Sequence, residues 1–153
     1  MRRVLVLLVT AAVLVGTAAT PGQAQGQTHK ELRYARQVFA ATNGNRAAHG
    51  VAALKLNDCL KHAAIRQAKA MARQEQIFHQ DLGRVMTDCK LNTAGENVAY
   101  GYRSGTSVVN DGWMNSEGHR ANILNPSFTL IGIGARQGHD GKWYAAQVFG
   151  RKA

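Results

Sequence analysis

Among six histidines and nine acids, His79, Glu96 and His119, with Glu117 two places before the last, are the candidates for chemistry; the first three lie where regular structure meets loop, and His29, His49, His62 and His139 lie elsewhere. Histidine changes charge near neutral pH and offers a lone pair to metals. Two imidazoles and a carboxylate can hold a divalent ion such as zinc with a coordination position left open. Glu96 would then be the candidate general base acting on metal-activated water. The same three groups would serve as well in an internal hydrogen-bond network. No HExxH pair is present, and Ser116, three residues before His119, lacks a GxSxG elbow. Only the tertiary fold can bring residues 79, 96 and 119 together.

The elements that must position them read as follows. Thr28 and Glu31 form a capping box for a first helix, with Leu32, Ala35, Val38, Phe39 and Thr42 at helical spacing and Gly50 as its stop. Asn57 or Asp58 caps a second helix through Phe78, with Leu60, Ala64, Ala68, Met71 and Ala72 on one face; its alanines permit close packing. His79 follows directly. The stretch 79–105 reads as loop, with Glu96 in a tight Gly95-Glu96-Asn97 turn before a short strand at Asn97 to Tyr100. A third helix capped by Thr106 or Ser107 precedes a short fourth capped by Ser116, which carries His119 and ends at Asn125-Pro126. "TLIGIGAR" and "KWYAAQVFG" alternate around Asp140-Gly141, a hairpin signal. Helices first and strands last predict an α+β chain, an α-β-α sandwich with an antiparallel sheet covered by helices.

The first 24 residues read as a secretory signal: Arg2 and Arg3, an apolar run from Val4 to Val15, and Gly22-Gln23-Ala24 for cleavage. That run is short of the roughly 20 residues of a membrane span, so no stable span is expected after cleavage. The expected organisation is a signal peptide at 1–24, an N-terminal stub at 25–32 and one domain at 33–153. The product is read as secreted and monomeric. In an oxidising compartment two cysteines in a small domain most often pair, so Cys59 and Cys89 are the expected disulfide. The 153 residues carry 19 Lys and Arg against 9 Asp and Glu. The bases are scattered without interleaved aromatics, which argues against a nucleic-acid partner and is compatible with an anionic cell-surface or wall polymer.

The segments "HQDL", "GENVAYG", "WMNSEGHRANILNP", "FTLIGIGA" and "WYAAQVFG", with "TNGNRAAHGVAALKLNDCLKHAA" before them, resemble the bacterial branch of the CAP superfamily. These are the cysteine-rich secretory, antigen 5 and pathogenesis-related 1 proteins, also called the SCP-like extracellular domain. The resemblance spans about residues 33 to 150. It implies an α-β-α sandwich with a cleft of two histidines and up to two glutamates: His79, Glu96 and His119 match by motif. The second family glutamate falls at Ser116 in this sequence. Glu117, one residue off, is either a substitute or a solvated first-turn acid suited to the helix dipole. The superfamily has no single reaction. It implies first a non-catalytic exported binding module, its cleft taking a lipid, sterol or cell-surface ligand with a zinc or other divalent ion at His79 and His119. Its alternatives are a metal-dependent, protease-like hydrolase and a purely structural domain. A lipid groove would draw on Phe78, Met86 and Tyr102, residues that core packing uses equally.

Overall fold

The computed structural model describes residues 27–153, and the signal expected at 1–24 lies outside them. Helix α1 (His29–Ala48) opens on Thr28, whose side chain accepts from the Glu31 N–H while the Glu31 carboxylate accepts from the Thr28 N–H. The helix thus starts inside the segment 25–32 expected to be a stub. Glu31 ties that start to the domain: it is buried and pairs with Arg136 at 3.0 Å.

Strand β1 (Lys55–Leu56) leads into α2 (Asp58–Gln74), capped by Asn57. The helix stops four residues before Phe78, where Glu75 adopts a left-handed conformation. Helix α3 (Leu82–Cys89) and strand β2 (Leu91–Tyr100) then replace the expected loop. Asp81 caps α3, and a disulfide joins Cys59 at the start of α2 to Cys89 at the end of α3, with 5.7 Å between their Cα atoms. Closing that loop stabilises the fold by about 3 to 4 kcal/mol in the chain-entropy picture.

A short helix α4 (Gly105–Ser107) is capped by Ser104, not by Thr106 or Ser107; it continues as a π-turn over Val108–Gly112 and a 3₁₀ turn over Trp113–Asn115. Ser116 occupies the N-cap position of α5 (Glu117–Leu124), though its side chain makes no capping bond. Strands β3 (Leu130–Gln137) and β4 (Trp143–Lys152) form the expected hairpin.

The sheet order is β1-β3-β4-β2, antiparallel except for the two-residue parallel pairing of β1 with β3. Helices cover both faces, giving the α-β-α sandwich. On one side α2 and α3 pack Leu60, Ala64, Met71 and Val85 on Val98, Ala146 and Val148. On the other, α1 and the α4–α5 region pack Val38, Val108, Trp113 and Ile123 on Ala99, Ala145 and Phe149. Alternation along β4 sends neighbouring residues into opposite layers, so the strand is buried continuously from Tyr144 to Gly150.

Small residues set the spacing of α2 on the sheet. A Cβ at Gly132 would lie 2.0 Å from the Leu60 carbonyl carbon, and one at Gly134 2.2 Å from the Ala64 oxygen. Only glycine allows the β3 backbone that close to a helix backbone.

Candidate functional site

β2 is an edge strand, and its open edge is where the chemistry gathers. An unpaired edge exposes carbonyls that need partners. Asn122 of α5 donates to the Glu96 oxygen at 3.2 Å, and the Trp113 indole donates to the Val98 oxygen at 3.2 Å. The α4–α5 region therefore caps the edge with side chains in place of a further strand.

Glu96 lies mid-strand, opposite Val148, and not in a turn before the strand as its Gly95 and Asn97 neighbours predicted. Asn and Gly are turn formers in isolation; here Asn97 is spent on side-chain bonds and Gly95 on a close approach. A Cβ at Gly95 would meet the Phe128 ring at 2.7 Å. Glu96 shares the parity of Val98, which places its side chain on the α2–α3 face.

Its carboxylate has no solvent exposure. One oxygen, Oε2, accepts from His79 Nδ1 at 2.7 Å and from the Gln80 N–H at 3.2 Å; Oε1 accepts from the Gln80 amide at 2.5 Å. A carboxylate oxygen only accepts, so Nδ1 of His79 carries a proton and Nε2 is the nitrogen left for other partners. The His79 side chain is 58 % exposed. Gln67 donates to the Phe78 oxygen and fixes the chain just before it.

Asn97, of opposite parity, faces the other layer. It donates to the His119 backbone oxygen and to Gln147 Oε1, both at 3.1 Å, and accepts from Asn122 at 2.9 Å. Gln147 in turn donates to Thr42 of α1 at 2.6 Å. This buried polar chain runs from α1 through the sheet to the first turn of α5 and sets where His119 stands. The His119 ring makes no hydrogen bond among the described residues and is half-buried. Burial, and then the nearby His79, hold its pKa below the usual histidine value. The two rings are thus neighbours electrostatically.

The fold therefore brings His79, Glu96 and His119 to one edge. Glu117 is exposed at the first position of α5 and makes no hydrogen bond or ion pair among the described residues. Phe78 and Met86 pack on the α2–α3 cluster whereas Tyr102 packs on the opposite one, so these three do not share a groove. Sequence reading missed Gln80, Asn97, Asn122 and Gln147. Gln80 directly follows His79, and Asn97 and Asn122 sit inside the "GENVAYG" and "SEGHRANIL" segments, but nothing in a one-dimensional pattern pairs them.

A catalytic zinc is held by three protein ligands with a fourth position open. Here two imidazoles are free to coordinate, while both oxygens of Glu96 are already engaged. Among the described residues no group of three or more His, Cys, Asp or Glu is arranged to hold a metal ion. The donor set does not fit a resident catalytic metal.

The cysteine-rich secretory protein (CAP) family matches this chain over residues 39–149. The chain belongs to that family. It is 38 % identical over 108 residues to the uncharacterized protein YkwD of Bacillus subtilis, covering 66 % of this chain and 42 % of the relative. The uncharacterized membrane protein YlbC of the same organism is 31 % identical over 123 residues, 76 % of this chain and 34 % of the relative. This CAP chain thus spans less than half the length of either. Among solved structures, an extracellular protein containing an SCP domain from Bacillus anthracis aligns with a TM-score of 0.70 at 30 % identity, covering 84 % of this chain and 45 % of that one. An outer surface protein of Borrelia burgdorferi shares the fold, with a TM-score of 0.68 at 22 % identity over 77 % of this chain and 92 % of that one.

Proposed function

We propose that this CAP domain is an exported, non-catalytic binding module. The β2-edge site takes a ligand at the outward Nε2 of His79 and the ring of His119. The observation that carries this reading is the commitment of Glu96: its carboxylate is fully buried and bonded through both oxygens to His79 and Gln80. A carboxylate so placed orients an imidazole, and a general base would have to be within reach of substrate or water. A divalent ion in this reading is an exchangeable guest on two imidazoles. Export is supported by the signal-like residues 1–24 and by the extracellular and outer-surface descriptions of the two structural relatives. In this reading the ligand is a cell-surface or lipid component.

Calorimetric titration with zinc near neutral pH tests this, wild type beside His79→Ala/His119→Ala. Two imidazoles without a third protein ligand are expected to bind zinc weakly and exchangeably, and the binding is lost in the double variant. Sub-micromolar binding together with zinc-dependent peptide or ester hydrolysis absent from the double variant would overturn the reading in favour of a metal-dependent hydrolase.

A further inference from the structure

A groove of about 1020 Å³ lies between α2, α3 and the β3–β4 hairpin. Arg66, Lys69 and Arg73 form one wall. At positions i, i+3 and i+7 they make a single stripe on α2, spanning about 10 Å along its axis at 1.5 Å per residue. Arg84 of α3 and His139 of the hairpin face the same space.

The acids that line it are already engaged. Asp81 caps α3 by accepting from the Arg84 N–H at 3.1 Å, and Asp88 meets Arg84 at 3.8 Å in an exposed pair of little strength. Arg136, at the groove's margin, is paired with Glu31. Arg66 and Arg73 are exposed and make no hydrogen bond or ion pair among the described residues.

Arg66 and Arg73, with no counter-charge of their own among the described residues, add no ion pair to the fold. In a concave wall they focus a positive potential outward. Guanidinium forks match phosphate oxygens two at a time. No Phe, Tyr or Trp lines the groove, so the His139 imidazole is the one ring it offers for stacking bases. The complementary ligand has a charge on each repeat and no aromatic rings.

We infer that this groove docks a linear polyanion of the cell surface, a polyol chain joined by phosphodiesters, lying along the arginine stripe of α2. The inference rests on the export reading above only for where the polymer is met. Gln80 both lines the groove and donates to Glu96, so groove and β2-edge site share a wall.

The test is calorimetry of the whole chain with short synthetic poly(glycerol phosphate) at several salt concentrations. Arg66→Gln/Arg73→Gln is expected to weaken binding at least about tenfold and to flatten the slope of log K against log salt by about 1 per arginine removed. Lys55→Gln/Arg151→Gln makes the same change in net charge on exposed residues outside the groove and should leave affinity within about twofold, as charge at a distance is screened. Unchanged melting temperatures confirm that all variants fold. Equal losses in the two pairs would reduce the effect to net charge and overturn the inference. Equally tight binding of single-stranded DNA of matched charge would overturn the choice of polymer. Polymer binding lost in His79→Ala/His119→Ala but kept in Arg66→Gln/Arg73→Gln would sink the groove while leaving the β2-edge proposal standing; the reverse result upholds the groove whatever zinc does.

Discussion

Two buried charges in this CAP domain sit in opposite circumstances. Arg46, in the last turn of α1, is 1 % exposed and surrounded by carbonyl oxygens. Its Nε donates to Ala52 at 2.7 Å, Nη1 to Ile123 at 2.7 Å and Asn125 at 2.9 Å, and Nη2 to Phe128 at 3.2 Å. Glu96 is equally buried, yet one of its bonds goes to an imidazole that reaches solvent. The guanidinium ends in backbone and locks loops. The carboxylate ends in an exposed ring and aims it. A buried charge whose partners are all internal is part of the scaffold; one that hands a bond to a surface group controls that group.

The largest effect expected from breaking this contrast is at Arg46. The side chain ties the turn after α1 to the end of α5 and to the segment before β3, where the positive charge also suits the helix C-terminus. Arg46→Met keeps the bulk and removes the donors, leaving four carbonyls to find water or strain. The cost expected is about 3 to 5 kcal/mol, seen as a drop in melting temperature on the order of 10 °C. Molecules that remain folded should bind ligand or zinc at the β2 edge as wild type does. A loss under about 1 kcal/mol would mean that water replaces the guanidinium and that the clamp is dispensable.

Glu96→Gln should reverse that pattern. The amide keeps the shape but places a donor against either Gln80 or His79, which both donate already. Stability is expected to fall by only about 1 to 2 kcal/mol, while affinity at the β2 edge falls about 10- to 100-fold as the imidazole loses its fixed tautomer and direction. The proton on Nδ1 of His79, held by a bond of 2.7 Å in the wild type, should lose its downfield NMR signal. Unchanged affinity would make Glu96 a scaffold charge like Arg46, and the contrast would collapse.

The difference also explains what the sequence could show. The Thr28–Glu31 capping box and the β3–β4 hairpin are local, and both are present where their residues predict them. β2 looks like loop in one dimension because it carries Asn92, Thr93 and Gly95, and because continuous burial from Gly95 to Ala99 removes the alternation that marks a strand. Helix α3 has only eight residues and contains Gly83, too little for a period to emerge. The family motifs pointed to His79, Glu96 and His119, but the role of each depends on contacts at long range: Gln80 on Glu96, Asn97 on His119, Gln147 on Thr42. Nothing local marks Arg46 as a clamp, since its acceptors lie up to 82 residues away.

The smallest effect expected concerns the electrostatic link between the two rings. Burial first, and His79 second, lower the pKa of His119. A folded value below the unfolded one, which is about 6.5, means that the unfolded chain takes up the proton more readily. The contribution of His119 to stability is therefore full above the unfolded value, declines as pH falls toward the folded value, and is flat below it. His79→Ala removes only the second cause, so in NMR titration the His119 resonance should move its midpoint part of the way back up, and the window of declining stability should narrow from its acidic end. The half-buried ring keeps the change small. An unmoved or lowered midpoint would mean that His79 does not act on His119, and a ligand bridging both rings would lose its physical basis even with Glu96 still aiming one of them.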